Sequence, residues 1–126
     1  MGAFYELSQA EREIMEVIWE RTEAVTAGEL LAVFARRAWK AQTMSTFLSR
    51  LADKGMLRGE RQGRCTRYRP ALSREEYRRR RARHVVDDLY GGSLSAFLSA
   101  LSGGQGLDRD EVEALRVWFE EVSGDG

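Results

Sequence analysis

The sequence predicts a mainly α-helical chain with one small β-hairpin, divided into an N-terminal head and a C-terminal helical module. Three observations predict it. Apolar residues recur at helical spacing in six segments, four of which open with a capping-box pattern, at Ser8, Thr26, Ser73 and Asp108. A single proline, Pro70, interrupts a chain otherwise rich in helix formers. Between the third and fourth helical segments, two short extended stretches flank a glycine, as a tight hairpin requires. With 126 residues, 43% hydrophobic and 32% charged, the chain has room for one domain or two very small ones, each with a modest core.

The first helix opens at Ser8-Gln9-Ala10-Glu11, where the serine hydroxyl takes an orphan N–H and the glutamate reaches back. Ala10, Ile14, Val17 and Ile18 form its apolar stripe, widened by Met15 and Trp19. A second box, Thr26-Ala27-Gly28-Glu29, starts a short helix with Leu30, Leu31 and Phe34 on its buried face. The third helix is expected over about 41–54 and stops at Gly55, which suits the left-handed position after a helix. Met44, Phe47, Leu48 and Leu51 fall on its inner side; Gln42, Thr43, Ser45, Thr46, Ser49 and Arg50 lie on the other. Exposed helix faces usually favour Glu and Lys, so small hydroxyls and one amide suit a helix that enters a groove and bonds to base edges. The competing reading is an ordinary exposed face in a Ser/Thr-rich stretch.

Met56–Glu60 and Cys65–Arg69 are the extended segments, joined through Arg61-Gln62-Gly63-Arg64. Gly63 supplies the positive φ of a tight turn, and the arginines make the tip basic. Three helices followed by a basic hairpin is the order of a winged helix-turn-helix, expected here over residues 1–71 with the wing at about 57–69. In that arrangement the third helix enters the major groove and the wing meets the backbone or minor groove. The residues expected at base edges are Gln42, Thr43, Thr46 and Arg50; those expected at phosphates are Lys40, Ser45, Lys54, Arg61, Arg64 and Arg67.

Residues 72–126 read as a helical dimerisation module. Ser73-Arg74-Glu75-Glu76 opens a long helix that Gly91-Gly92 breaks after Leu89 and Tyr90. Ser93 restarts a short apolar helix carrying Leu94, Phe97, Leu98 and Leu101, and 102–106 is a glycine-rich flexible connection. The last helix begins at Asp108, with Glu111 completing a box, and carries Val112, Leu115, Trp118, Phe119 and Val122. So large an apolar stripe is poorly hidden by one short helix pair, and a second copy of the chain is its natural cover.

Charge is distributed in blocks. The formal net charge is zero, yet residues 36–83 hold 16 Lys/Arg against 4 Asp/Glu, while 1–35 carry a net −5 and 84–126 a net −7. A basic middle between acidic ends suits a polyanion-binding surface on a soluble body; mutual neutralisation within the fold is the alternative. The Arg78–Arg83 run has three readings: phosphate contacts beside the wing, salt bridges to a partner's acidic tail, or a solvated face.

No catalytic constellation is visible: there is no Ser/His/Asp set and no glycine-rich phosphate loop after a strand, so an enzyme is not expected. One cysteine, Cys65, and one histidine, His84, exclude a disulfide framework and a metal cage made by this chain, and no cofactor is expected. Cys65 is expected to be a buried structural thiol of the second wing strand, His84 a surface or interface residue, and Trp19 and Trp39 packing residues. No apolar run approaches the ~18 residues of a spanning helix, and the N-terminus lacks a basic start before an apolar stretch, so a cytoplasmic protein is expected.

The residues also resemble a known family, the BlaI/MecI/CopY or penicillinase repressor group of bacterial transcriptional regulators. The likeness spans nearly the whole chain. It runs from Leu7-Ser8-x-Ala10-Glu11-x-Glu13-Ile14-Met15-x-Val17-Ile18-Trp19 through Trp39 to Gln42-Thr43-Met44-Ser45-Thr46 and Arg50-Leu51-x-x-Lys54-Gly55. It continues in Gly63-Arg64-x-x-x-Tyr68-x-Pro70 and in Leu89-Tyr90-Gly91-Gly92-Ser93-Leu94. The resemblance implies a homodimer that represses its target by binding a palindromic operator through two winged-helix heads. It places Thr43, Thr46 and Arg50 on the groove-facing side of the recognition helix and Arg64 at the wing tip. In the antibiotic-resistance members a membrane sensor with a metalloprotease domain triggers a cut at an Asn-Phe bond in the dimer module; the matching bond here is Ala100-Leu101. The paired Cys-x-Cys motifs of the copper-responsive branch are absent from this sequence.

Two functions from different classes follow. The first is an operator-binding repressor that blocks polymerase sterically. The second is a winged-helix interaction module docking an acidic protein partner, which would call for aromatic anchors on the third helix instead of its small polar face.

Overall fold

The computed structural model describes residues 6–103 and 106–124; Gly104 and Gln105, the middle of the expected flexible connection, lie outside them. The chain forms two compact units, the first ending at Ala82 and the second beginning at Arg83. The head contains α1 (Gln9–Glu20), β1 (Val25–Thr26), α2 (Ala27–Val33), a 3-10 turn (Ala35–Arg37), α3 (Ala41–Asp53), β2 (Leu57–Gln62) and β3 (Cys65–Pro70). It is a winged helix-turn-helix. The long helix α4 (Arg74–Tyr90) begins in the head, and α5 (Leu94–Gly103) and α6 (Arg109–Gly124) belong to the second unit.

Local chemistry explains most of these boundaries. The capping boxes at Ser8/Glu11, Thr26/Glu29 and Asp108/Glu111 all close in both directions. The one expected at Ser73 closes in one direction only. The Ser73 hydroxyl accepts the Glu76 N–H at 3.0 Å, but the Glu76 carboxylate turns instead to Arg79 and to Arg80, 3.0 Å away. Two guanidiniums outbid one backbone amide for it.

The end of α3 is a Schellman turn. Gly55 takes φ +80°, its N–H bonds to Ala52 O at 3.0 Å, and the Met56 N–H reaches back to Leu51 O at 2.9 Å. Met56 and Leu51 are both in the core, so the turn also aims the chain into the wing.

The hairpin is tighter than its sequence suggests. Arg61 and Gln62 are still in β2, Gln62 pairs with Cys65, and only Gly63 and Arg64 form the loop. Gly63 has φ +63° and Arg64 a negative φ, the pattern of a two-residue II′ turn. In β2, Gly59 leaves room for the ring of Tyr68 on the neighbouring strand, where a Cβ would sit 3.2 Å from it.

A third strand was not foreseen. Val25 and Thr26 pair antiparallel with Tyr68 and Arg67, giving the sheet order β1-β3-β2. An N-cap residue needs extended backbone, and Thr26, at φ −97° and ψ 163°, therefore serves the strand and the helix cap at once.

All of these elements close on one core, formed by Ile14, Met15 and Ile18 of α1, Val25, Leu30, the Met44/Leu48/Leu51 side of α3, Met56, Leu57 and Tyr77. Tyr77 brings the first turns of α4 into the head. Its ring lies 5.5 Å from that of Trp19, whose Nε1–H donates to Leu72 O at 2.9 Å. Arg74 holds Glu16 and Glu20 of α1, each at 2.9 Å, and stacks over Trp19. Trp39 packs between Phe34 and Phe47, at 5.3 and 5.0 Å, as a packing residue should.

Candidate nucleic-acid interface

The core fixes which side of α3 is left outside. Met44, Leu48 and Leu51 are wholly buried, which turns Gln42, Ser45, Ser49 and Arg50 to the surface, with Thr43 and Thr46 half-buried at its margin. Thr46 spends its hydroxyl proton on Gln42 O, 3.0 Å away in the preceding turn. It can therefore present an acceptor lone pair and a methyl group outward, but not a donor. Unlike α1, α2 and α6, α3 opens without a side-chain cap and without an acidic residue in its first turn; Lys40 stands at its N-cap. That leaves the positive end of the helix uncompensated.

Beside this face lies an open cleft of about 350 Å³, lined by Thr26, Ala27, Gly28, Ser45, Arg64, Cys65, Thr66 and Tyr68. It brings α2, α3 and the wing tip together. In a separate pocket lined by Ala24, Val25, Glu29 and Arg67, Glu29 is held below the usual carboxylate range by the Thr26 N–H, with Arg67 adding to the effect.

The distribution of ion pairs separates the cations into two groups. Among the described residues, Arg12, Arg21, Arg36, Lys40, Arg50, Arg58, Arg61, Arg64, Arg78 and Arg109 make no ion pair with a carboxylate. Six of them, Arg36, Lys40, Arg50, Arg58, Arg61 and Arg64, lie between the end of α2 and the wing tip. In the Arg78–Arg83 run, by contrast, Arg79 and Arg80 meet Glu76, Arg81 meets Glu6 at 2.7 Å, and Arg83 meets Asp87 at 3.5 Å. Beyond the three readings of that run, its own chain supplies carboxylates to four of its arginines, all but Arg78.

Several residues expected at the site are placed differently. Lys54 is one turn beyond Arg50, which made it look like a phosphate ligand. Its ammonium instead sits 2.6 Å from Glu11 Oε1 and 3.0 Å from Glu6 O. Glu11 is only 2% exposed. Burial alone would raise its carboxyl, but Lys54 and the Ser8 N–H outweigh that and hold it below the ordinary carboxylate range.

Arg67 is half-buried, bonding to Gln62 Oε1 at 3.1 Å and to Ala24 O at 3.4 Å. Cys65, expected to be buried, is exposed. It closes the hairpin opposite Gln62, beyond the reach of a core that covers only Leu57 of β2.

Arg58 and Arg36 were missed. Arg58 lies directly across from Arg69, a like-charge pair that strands normally avoid, and Arg69 is drawn to Glu60 at 3.4 Å. Only the block excess of positive charge over 36–83 hinted at them.

The second unit has its own surface character. Leu89, Leu94, Leu101, Val112, Trp118, Phe119 and Val122 are exposed, Leu89 to 68%, while Tyr90, Phe97, Leu98 and Leu115 are half-buried. Val117, outside the stripe read from the sequence, is exposed as well. His84 is half-buried. No helix among the described residues is long and apolar enough to cross a membrane.

Comparison with known proteins agrees with this construction. The profile of the Penicillinase repressor family matches residues 7–121. The chain is 36% identical over 127 residues to the transcriptional regulator BlaI of Mycobacterium tuberculosis, covering 97% of this chain and 88% of that protein. It is 27% identical over 116 residues to the penicillinase repressor of Bacillus licheniformis, covering 92% and 91% of the two chains. Among solved structures, the DNA-binding domain of the repressor BlaI superposes with a TM-score of 0.52 at 31% identity, over 61% of this chain and 94% of that domain. That family consists of transcriptional regulators, not enzymes, and this chain is a member of the penicillinase repressor, or BlaI/MecI, family.

Proposed function

We propose that the protein is a homodimeric transcriptional repressor that binds a palindromic operator, with α3 in the major groove and the β2–β3 hairpin on the backbone. One observation carries the reading: among the described residues, α3 and the wing hold a cluster of cations without a carboxylate (Lys40, Arg50, Arg58, Arg61 and Arg64) beside a helix face of small polar groups. A polyanion supplies the charge that the fold withholds there. Gln42, Thr43, Thr46 and Arg50 face base edges. Lys40, Ser45, Arg58, Arg61 and Arg64 hold phosphates, the uncapped start of α3 and the cleft at Ser45 receiving the backbone. Lys54 drops out of that set, because Glu11 occupies it.

The apolar residues of α5 and α6 form the dimerisation surface of a module covering 72–126, and a two-fold dimer matches the symmetry of a palindrome. Ala100 and Leu101 are exposed on α5, where cleavage dependent on a membrane sensor would fall. Repression takes place in the cytoplasm. The acidic-partner alternative gains no support, since the outer face of α3 offers no aromatic anchor.

Fluorescence anisotropy with the chain's own upstream intergenic DNA and a shuffled duplex, at two salt concentrations, tests the reading. The expected result is salt-sensitive binding with a preference of ~10³-fold or more and two chains per site. Equal, weak binding to both duplexes would reject it.

A further inference from the structure

Among the described residues three capping boxes close with a glutamate, and one of those glutamates is unlike the others. Glu29 and Glu111 are exposed, as a capping role allows, whereas Glu11 is almost completely buried. A capping box needs no burial. The charge that meets Glu11 is Lys54, the C-cap residue of α3, which lies 43 positions away in the sequence.

A single oxygen, Glu11 Oε1, accepts both the Ser8 N–H at 2.8 Å and the Lys54 ammonium at 2.6 Å. Lys54 adds a bond to Glu6 O at 3.0 Å, and the Glu6 carboxylate in turn holds Arg81 of α4. The start of α1, the end of α3 and the first half of α4 thus meet at one charged hinge point, all within the head. At the same place the Schellman turn anchors Met56 in the core. At the other end of α3, Lys40 makes no side-chain capping bond.

We infer that Glu11 and Lys54 are a positioning pair, which fixes the C-terminal end of the recognition helix and so sets the angle at which its outer face meets DNA. Neither residue touches DNA in this scheme. The inference rests on the operator-binding reading, and it gives Lys54 a task different from the phosphate contact its spacing suggests. Positioning matters because Gln42 and Arg50 lie two turns apart on α3: a small tilt about its end moves both away from base edges while leaving the wing's charges in place.

The test compares Glu11→Gln, Lys54→Met and the double variant with the wild type, at a temperature where thermal melts show all four folded. Each is titrated against the upstream intergenic duplex and a shuffled duplex over a range of salt. Hydrogen exchange is followed at the amides of 54–56. The pair predicts that both single variants lose about tenfold or more in preference for the native duplex, keep their affinity for the shuffled one, and keep the wild-type salt slope. The double variant is then no worse than the worse single variant. Exchange at the end of α3 quickens in both.

If Lys54→Met alone weakens binding to both duplexes, and flattens the slope by about one unit, Lys54 is a phosphate ligand and the inference is wrong. Wild-type preference in both single variants overturns it equally. Should the wild type itself prefer neither duplex, the repressor reading fails; the exchange data then decide alone, and unchanged protection at 54–56 overturns the positioning role.

Discussion

In the head, Ile14, Met15, Met44, Leu48 and Leu51 are wholly buried, while Arg50, Arg58, Arg61 and Arg64 find no carboxylate among the described residues. In the second unit apolar side chains are the ones left outside. Leu89, Leu94, Leu101 and Trp118 are exposed, whereas Arg83 meets Asp87 and Arg116 meets Glu113 and Glu120. One region buries its apolar side chains and leaves cations unpaired on α3 and the wing; the other leaves an apolar stripe at its surface and carries an excess of acidic residues. Each opening names the chemistry of what should fill it. Burying one large aliphatic or aromatic side chain stabilises by roughly 1.5–3 kcal/mol, so a face with several such residues exposed is a strong drive to association. Unpaired arginines at a surface cost little in water, but they gain from a polyanion through released counterions.

The largest effect should come from closing the apolar opening with charge. Trp118→Asp places a carboxylate in the middle of the exposed α6 stripe without disturbing the head. Sedimentation is expected to show a dimer for the wild type and a monomer for the variant. Affinity for a full palindromic site should then fall by roughly 10²–10⁴-fold, since the second head no longer binds in an intramolecular step. Affinity for a half-site should be unchanged. A variant that still dimerises would move the interface off this face.

A smaller loss is expected from removing one group at the charged opening. Arg50→Ala should cost ~1–3 kcal/mol against the native duplex if the guanidinium reads a base, with little loss on shuffled DNA. The ratio of the two affinities is the quantity to measure. An unchanged ratio would remove Arg50 from the base-reading set.

Acid sharpens the comparison in another way, because among the described residues of the head the buried charge is Glu11. Burial works to raise its carboxyl, yet Lys54 and Ser8 prevail and leave it lower than in the unfolded chain. A carboxylate so placed contributes stability that is present above its unfolded range and is lost as pH falls through its folded value. In urea unfolding followed by fluorescence, the stability gap between wild type and Glu11→Gln should be widest near pH 7 and narrow below about pH 4. A gap independent of pH would mean that the carboxylate charge does not matter there.

How much of this was legible in the sequence depended on the range over which each interaction acts. The boxes at Ser8, Thr26 and Asp108 need partners three residues away, and all were readable. The inner side of α3 was readable from its period, and its outer face followed by subtraction. The order of helices and hairpin specified the winged head. What escaped depended on partners far along the chain. β1 exists only because Val25 meets Tyr68, and two residues leave no periodic trace. Lys54 reads as a continuation of the Arg50 row until Glu11, on another helix, is placed beside it. Cys65 was misjudged because strand alternation predicts which face a side chain takes, but not how far a hairpin projects beyond the core. Glu76 shows local competition: the box and the arginine pairs both lay within four residues, and spacing alone could not rank them.

The smallest predicted effect bears on the rule behind the comparison, that a cation lacking a carboxylate is one available to DNA. Arg64 and Arg80 are both arginines of the same basic block, and only their surroundings differ. Arg64 follows Gly63 at the wing tip with no carboxylate partner, whereas the Nε of Arg80 lies 3.0 Å from Glu76 on its own helix. Arg64→Ala should weaken binding to native and shuffled duplexes alike and lower the slope of log affinity against log salt by about 0.9, the share of one phosphate. Arg80→Ala should leave that slope unchanged and alter folding stability by no more than ~0.5 kcal/mol, as exposed pairs one helical turn apart do. Equal slopes for the two variants would mean that pairing within the fold does not decide which arginines meet DNA. The block charge of 36–83 would then act as a whole, and the contrast between the two units would hold only for their apolar surfaces.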